Sequence, residues 1–261
     1  KDGGTIDYVE YVLDRPKAPQ QKVTVQAPSR LGLPTPVEED VLIALLFLAK
    51  QQNFDHERLH FVPAEVLNVL RWTDGRRNYD RLQTALHRLQ AVSICYELTW
   101  YNKQKAEVEP ILMTGILAEA KLVRRQGRRA TDAIPDSYVQ WTPHFFGSLQ
   151  DGNLTDLDLD LYFQLSKPGA KQLLRHLNKV WHAGKRPRHY ERDLRQLACG
   201  HLGMKDSKDL KRNFDAVVRE LEDIGYLSPT EQRYQKIGKG IWRASFDLAD
   251  LFQRTPGQAG K

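Results

Sequence analysis

The sequence is poor in the residues that build metal clusters, disulfide frameworks and membrane spans. Its 261 residues include only two cysteines, Cys95 and Cys199, which lie far apart and outside any Cys-x-x-Cys pattern. They cannot form a zinc cluster by themselves, and we expect a reduced, cytoplasmic setting. The longest apolar run, residues 41–49, is too short to cross a bilayer, so no membrane association is predicted.

The common signatures of enzymes are also missing. There is no GxxxxGK[ST] or GxGxxG phosphate loop and no HExxH, and Gly-Lys-Gly at 238–240 falls on a predicted hairpin tip. His56 and His60 straddle a loop and a strand, and Cys199 with His201 has no third partner. We therefore predict a protein that is not an enzyme and that has no cofactor and no metal site.

What the sequence does contain is an ordinary globular composition with a basic excess. Apolar residues make up 41% and charged residues 28%, and the formal net charge is +6. The length suits two domains of ordinary size. The positive charge favours a polyanionic partner without proving one, because many proteins are mildly basic.

The first half of the chain predicts a mixed helix and strand unit after a proline-containing extended segment, 1–34. Thr35, Pro36 and Glu38 combine an N-cap, a first-turn proline and a capping box, and they start a helix that ends near Gln52. The elements predicted next are a strand 59–62, a helix 63–70, a helix 76–91, and strands 94–100 and 111–123 around a polar tip at 101–105.

The second half predicts a similar order of elements. Asp158 is expected to cap a short helix, and a longer amphipathic helix follows at 167–181. The remaining elements are helices 193–201 and 207–224 and strands 226–234 and 240–246 around a lysine-bearing tip at 235–239.

The two halves repeat each other at a constant spacing. Six apolar residues, Leu82, Ala85, Leu86, Leu89, Val92 and Ile94, recur 132 positions later as Phe214, Val217, Val218, Leu221, Ile224 and Tyr226. Each series passes from helical to strand spacing at the same place and leads into a hairpin. This order is typical of a winged helix, with the last helix as recognition element and the hairpin as wing.

We therefore predict an α+β fold of two winged-helix domains in tandem, related by an internal repeat and each with a β-hairpin wing. The predicted segments are a lead-in 1–34, domain 35–123, a basic loop and connector 124–152, domain 153–252 and a flexible tail 253–261.

Basic and polar side chains concentrate on the predicted recognition helices and hairpin tips. Arginine and asparagine can bridge base edges, and lysine, tyrosine and threonine suit phosphates or methyl groups. The candidate DNA-binding residues of the first domain are Arg76, Arg77, Asn78, Tyr79, Arg81, Thr84, Arg88, Lys103 and Lys105. Those of the second domain are Lys208, Lys211, Arg212, Asn213, Arg219, Lys236 and Lys239. Any one of them could equally be an ordinary solvated side chain.

A further basic cluster, Arg124, Arg125, Arg128 and Arg129, lies in the predicted connector. It suits either an arm on the minor groove or DNA backbone, or a loop whose charge only favours solubility. The sequence leaves both readings open.

Short segments of apolar and turn residues between 31 and 246 add a resemblance to a known family. They are 33–36, 39–46, 79–82, 141–146, 157–160, 194–202 and 220–226. In these segments the chain resembles the plasmid replication initiator protein A family. That resemblance implies a protein that binds repeated sites in double-stranded origin DNA, helps to open an adjacent AT-rich stretch and recruits the host helicase or initiator. It also implies a protein of the bacterial cytosol or nucleoid that binds origin repeats as a monomer and represses its own gene as a homodimer.

Three functions fit these features. The first is replication initiation through sequence-specific duplex binding by both winged helices. The second is transcription regulation on the same scaffold, and the third is a protein–protein interaction module, since winged helices also serve that role.

Overall fold

The computed structural model describes residues 8–13, 19–102, 107–123, 136–182 and 189–249. These form two compact units, residues 1–154 and 155–261, each with helices and antiparallel strands. The α+β class expected from the sequence is what the structure has. The unit boundary lies after the connector predicted at 124–152, which belongs to the first unit for the reasons given below.

The first unit begins with strands β1 (Tyr8–Leu13) and β2 (Gln21–Gln26). Helices α1 (Pro36–Gln51), α2 (Pro63–Val69) and α3 (Arg76–Ala91) follow, with strand β3 (Arg58–Phe61) between the first two. The unit is completed by strands β4 (Ser93–Asn102), β5 (Glu107–Thr114), β6 (Leu117–Lys121) and β7 (Ser137–Trp141) and by helix α4 (Pro143–Gln150).

The second unit has fewer strands. Its helices are α5 (Leu159–Gln164), α6 (Pro168–His182), a π-helix (Gln196–His201) and α7 (Leu210–Asp223). Its strands are β8 (His189–Asp193), β9 (Tyr234–Gly238) and β10 (Ile241–Asp247).

Helix α1 starts where the capping signal predicts. The Glu38 carboxylate accepts hydrogen bonds from the Thr35 backbone N–H at 2.7 Å and from the Thr35 hydroxyl at 2.5 Å. The Thr35 hydroxyl in turn accepts from the Val37 N–H at 3.3 Å. These bonds satisfy N–H groups that have no partner inside the helix and fix its first turn. Asp158 likewise accepts from the Leu161 N–H at 3.0 Å and caps α5.

Helices α3 and α7 bury the stripes that the sequence repeat identified. In α3 the buried residues are Leu82, Ala85, Leu86 and Leu89, and in α7 they include Phe214, Val217, Val218 and Leu221. The stripe of α3 packs against α1, and that of α7 packs against α6. Helix α3 has the bounds that the sequence predicts, whereas α7 begins at Leu210, three residues later than expected.

The structure extends the repeat well beyond these helices. Pro36 starts α1 and Pro168 starts α6, again 132 residues apart. Strand β3 and helix α2 correspond at the same spacing, to within two residues, to β8 and the π-helix. Each unit has a three-stranded antiparallel sheet, in the orders β3-β7-β6 and β8-β10-β9. In both sheets the strand that comes last in the chain is central.

The strand predicted at 111–123 is wrong, because the chain changes sheets within it. Strand β5 pairs with β4 in a four-stranded sheet of order β1-β2-β4-β5, whereas β6 pairs with β7. The break is at Gly115, where a side chain would lie 3.1 Å from the Val92 carbonyl oxygen. The Thr142 hydroxyl donates to the Gly115 carbonyl at 2.7 Å and holds the crossing in place.

Two other parts of the predicted organisation differ from the structure. Strand β1 coincides with residues 8–13, where the sequence predicts pairing in the lead-in 1–34, and β7 agrees to within one residue with the strand that it predicts at 138–141 in the connector 124–152. What differs is that β1 and β2 join the four-stranded sheet and that β7 is the central strand of β3-β7-β6. Strand β7 is integral to the unit because Val139 and Trp141 are fully buried. The strand predicted at 226–234 is wrong, because β9 shares only Tyr234 with it and instead covers most of the tip predicted at 235–239; within 226–233 Leu227 forms an isolated bridge with Leu248.

Candidate nucleic-acid interface

The start of α3 presents two exposed arginines. Arg76 has 91% of its side chain exposed, with only a 4.0 Å contact to Asp80, and Arg77 is exposed beside it. The first turn has no acidic residue, so the positive end of the helix dipole adds to both charges. Asn78 points the other way: its amide donates to the Thr73 carbonyl at 2.7 Å and hydroxyl at 3.2 Å, which fastens the preceding turn.

Farther along α3, several predicted contact residues have partners within the protein. The Arg81 guanidinium lies 4.1 Å from the centre of the Trp72 ring and stays exposed. The Thr84 hydroxyl donates to the Asp80 carbonyl at 2.9 Å. Tyr79 is half-buried. The exposed cations of this helix are therefore confined to its first two turns.

Arg88 does not lie on the exposed face as the sequence predicted. Its Nε donates to the Leu31 carbonyl at 2.8 Å, and its Nη1 lies 3.2 Å from the carboxylate of Glu38, which is only 2% exposed. Arg88 therefore ties α3 to the start of α1. The buried Glu38 carboxylate needs the Arg88 guanidinium, because an unpaired charge in the protein interior is costly.

The start of α7 carries an equivalent basic surface. Lys208, Lys211, Arg212 and Asn213 are exposed around its first turn, which again has no acidic residue, and Arg219 is exposed in its third turn. Arg212 has 78% of its side chain exposed, with Asp209 3.4 Å away just before the helix. Three exposed cations around one helix start can contact a polyanion without any change in the fold.

The β9–β10 hairpin is linked to this surface through Lys211. The Lys211 ammonium lies 4.6 Å from the centre of the Tyr234 ring on β9 and 5.1 Å from that of Trp242 on β10. Lys236 and Lys239 are exposed near the hairpin tip, and Gly240 adopts a φ of +73° that allows the tight turn. The hairpin and the start of α7 thus form one basic surface.

Arg233 braces the same hairpin from inside and was not identified from the sequence. It is 5% exposed, donates to the Ser245 carbonyl at 2.7 Å and the Ser228 carbonyl at 3.2 Å, and pairs with Glu222 of α7. The sequence around Arg233 gives no signal of its burial, because arginine is mostly found at surfaces. Only the folded arrangement brings Glu222 to it.

Six predicted contact residues lie outside the described part of the chain, namely Lys103, Lys105, Arg124, Arg125, Arg128 and Arg129. The two lysines belong to the connection between β4 and β5. The four arginines belong to the connection between β6 and β7, which are two strands of the same sheet.

Among the described residues, no cluster of three or more His, Cys, Asp or Glu side chains could hold a metal ion. None of the helices described is both long and apolar enough to cross a membrane.

Comparison with known proteins places the chain in a family. The sequence model of replication initiator protein A matches residues 9–228, so the chain belongs to that family, as the short segments in the sequence predicted. The family match supports a role in DNA replication initiation. No curated protein matches the chain significantly.

Solved structures show a similar fold. The chain is similar to a crystal structure of a selenomethionine derivative of RctB domains 2 and 3, with a TM-score of 0.58 and 15% identity over 93% of this chain and 91% of that one. A second crystal structure of RctB domains 2–3 gives a TM-score of 0.55 and 14% identity over 95% of this chain and 93% of that one. At this identity the likeness concerns the fold.

Proposed function

We propose that the protein is a replication initiator that binds specific sequences in double-stranded DNA through two winged helices and acts by binding rather than by catalysis. Helices α3 and α7 are the recognition helices. Family membership further leads us to propose origin repeats as the target, a bacterial cytosolic setting, recruitment of the host helicase and autoregulation as a dimer.

The order of elements supports the winged-helix assignment. Each unit contains a helix, a strand, a second helix, a third helix and a two-stranded hairpin, and the strand between the first two of these helices pairs with the second strand of the hairpin. Winged helices place the third of these helices in the major groove and the hairpin beside it.

The observation that carries the proposal is the placement of exposed positive charge. Arg76 on α3 and Lys208 just before α7 occupy the same position in the two repeats, and Arg77, Lys211 and Arg212 lie within about one helical turn of that position. Recognition helices contact base edges with their first turns, where these residues lie. By contrast, the first turn of α1 carries Glu38 and Glu39.

The sheets also indicate which hairpin is the first wing. We assign it to β6–β7, because that hairpin corresponds in sheet order to β9–β10 of the second unit. The connection between β6 and β7 holds Arg124, Arg125, Arg128 and Arg129, so these arginines take the place of a wing tip in the first unit. This assignment replaces the hairpin around 101–105 that the sequence favoured.

The proposal is tested by the salt dependence of DNA binding. The full chain is titrated against a duplex that it selects from a random-sequence pool, at several salt concentrations. If about 6–10 phosphates are neutralised, log K falls with log salt at a slope of roughly −5 to −9. A flat salt response, or failure to select any duplex, would overturn the proposal.

Two arginine variants locate the base contacts. Arg77→Ala and Arg212→Ala should each weaken binding by about 1–3 kcal/mol and relax specificity at one position of the site. Lys179→Ala removes an exposed cation from α6, the counterpart of α1 in the repeat, and serves as the matched control that keeps wild-type affinity. Unchanged binding by both arginine variants would show that α3 and α7 are not the recognition helices.

A further inference from the structure

Two isoleucines are exposed at the tip of the β9–β10 hairpin. Ile237 is 46% exposed and Ile241 is 48% exposed. Within the described part of the second unit, residues 155–182 and 189–249, they are the only large apolar side chains exposed to this degree. Exposed apolar side chains that cluster at one point, rather than being scattered, mark a contact surface.

The surroundings of these isoleucines are basic and sterically open. Lys236 precedes Ile237, and Lys239 lies between the two isoleucines; both lysines are exposed. The Ile241 side chain folds over Gly238, where an added Cβ would lie 3.4 Å from its Cδ1 atom. The tip is therefore a narrow apolar edge flanked by two cations, and its two glycines, Gly238 and Gly240, add no side chains to it.

The base of the hairpin is held in place relative to α7. Lys211 lies over the rings of Tyr234 and Trp242, and buried Arg233 joins the hairpin to Glu222. These contacts fix the direction in which the tip projects from the basic surface of α7. Because the hairpin is already held in one conformation, its apolar tip can enter a partner without the entropy cost of ordering a flexible loop.

We propose that Ile237 and Ile241 form an apolar wedge that enters the minor groove and partly unstacks a base step of the bound duplex. Lys236 and Lys239 contact the phosphates on either side. The proposal rests on duplex binding by this unit, as set out under Proposed function, and it adds a mode of DNA deformation. Apolar wedges of this kind bend DNA toward the major groove by about 20–90°.

The test measures bending and unstacking separately from affinity. The selected duplex carries a fluorophore at each end for energy transfer, and 2-aminopurine is placed at successive positions to detect unstacking. With wild-type protein we expect a bent duplex and raised 2-aminopurine fluorescence at one step. In the double variant Ile237→Ala/Ile241→Ala we expect loss of most of the bend and of the fluorescence signal, with affinity lower by on the order of tenfold, which corresponds to ~1.4 kcal/mol.

Matched variants separate the wedge from its flanking charges. Ile111→Ala removes an isoleucine that is 62% exposed on β5 of the first unit, and it should leave bend and affinity unchanged. The double variant Lys236→Ala/Lys239→Ala should reduce the slope of log K against log salt by about two, while the duplex in the complexes that still form stays bent. Thermal unfolding verifies that the variants are folded.

The outcomes distinguish failure of the wedge from failure of DNA binding. If wild-type protein binds and bends the duplex and the double isoleucine variant does the same, or if the bound duplex is straight, the wedge is overturned while the proposed function stands. In that case the exposed tip serves a protein partner. If wild-type protein binds no duplex at all, the proposed function itself fails.

Discussion

The two units of this chain repeat the same elements at one spacing but differ in what has been added to them. From Pro36 to Val92 and from Pro168 to Ile224 the repeat holds its spacing of 132 residues without an insertion. After α3 the first unit inserts β4 and β5, which join β1 and β2 in a separate sheet, whereas in the second unit β9 and β10 are the only strands described after α7.

The exposed apolar residues differ in the same way. In the first unit Tyr8, Tyr11, Val12, Val108, Ile111 and Met113 are exposed on strands β1 and β5 of the added sheet. In the second unit the exposed apolar residues lie at the tip of a lysine-bearing hairpin. The comparison teaches that both repeats present basic helices, whereas the exposed apolar residues lie on an added sheet in the first unit and on a hairpin of the repeat itself in the second.

The contact between the first and third helices also differs between the repeats. In the first unit Arg88 of α3 pairs with Glu38 of α1. Glu220 occupies the matching position of α7, and its carboxylate lies 2.6 Å from the Lys167 ammonium and accepts the Ser166 N–H at 3.1 Å, just before α6. In each unit an ion pair thus joins the last of these helices to the start of the other. The helix residue is basic in the first unit, Arg88, and acidic in the second, Glu220.

Removal of the Arg88–Glu38 ion pair in the first unit should have the largest effect on stability. Glu38→Ala deletes both the capping box of α1 and the buried partner of Arg88, so we expect the free energy of unfolding of this unit to fall by about 3 kcal/mol. Denaturant unfolding combined with hydrogen exchange of α1 and α3 peptides measures the loss. Gln83→Ala, an exposed change on α3, is the control; a loss no greater than in that control would contradict the buried tie.

The corresponding change in the second unit, Glu220→Ala, should have a smaller effect, about 2 kcal/mol, because its Lys167 partner is nearly half exposed. Burial opposes ionisation of the Glu220 carboxyl, but hydrogen bonds from Lys167 and Ser166 outweigh it and lower its pKa to about 2. Hydrogen exchange of α6 and α7 peptides reports this loss. A loss larger than that of Glu38→Ala would reverse the order of the two ties.

Acid should destabilise the second unit through His176. Burial, followed by the charges of His201, Arg192 and Lys179, lowers its pKa to about 4, and its Nε2 lies 3.0 Å from the Tyr190 hydroxyl. Because the folded-state pKa is below the ordinary value of about 6.5, the unfolded chain binds the proton first, and stability falls as the pH drops from about 6.5 to about 4.

We expect His176 to account for about 2 kcal/mol of this acid-dependent loss. Unfolding of wild type, His176→Gln and the exposed-surface control His87→Gln is compared at pH 7 and pH 4. Only His176→Gln should lose less stability than wild type over this range. Equal losses in all three proteins would mean that His176 is not buried as described.

The smallest effect is expected for the cation–π contacts between helix and hairpin. Lys211→Ala should destabilise the second unit by about 0.5–1 kcal/mol, because the ammonium leaves the rings of Tyr234 and Trp242. Lys208→Ala removes an exposed lysine two positions before the helix and should leave thermal unfolding unchanged. If the two variants unfold alike, the hairpin is not braced through Lys211.

Several features of the fold could be predicted because they depend on nearby residues. The start of α1 follows from Thr35 and Glu38, which are three positions apart. The bounds of α3 follow from its apolar stripe, whose members Leu82, Ala85, Leu86 and Leu89 lie within two helical turns. The family likewise follows from short local segments, and its sequence model confirms it.

Other features could not be predicted. Strand β8 reads His-Tyr-Glu-Arg-Asp and has no apolar alternation, so only its pairing with β10 makes it a strand. The same limit applied to the candidate site. Arg77 and Arg88 look alike in the sequence of a basic helix, yet Arg77 is exposed while Arg88 pairs with Glu38 fifty residues away.

The basic residues that the sequence offered as contacts for an anionic partner therefore form two groups. Some are exposed, such as Arg77, and others are bound within the protein, such as Arg88. By itself the sequence determined the two repeats, the buried stripes of α3 and α7, and the positive charge at the start of both helices, because helix caps and helical periodicity act within one or two turns. The tertiary structure alone decided which strands pair, which hairpin each helix carries, and which cations are bound by neighbours. Those outcomes depend on contacts between residues far apart in the chain, whose loop-closure cost is repaid only when the core forms.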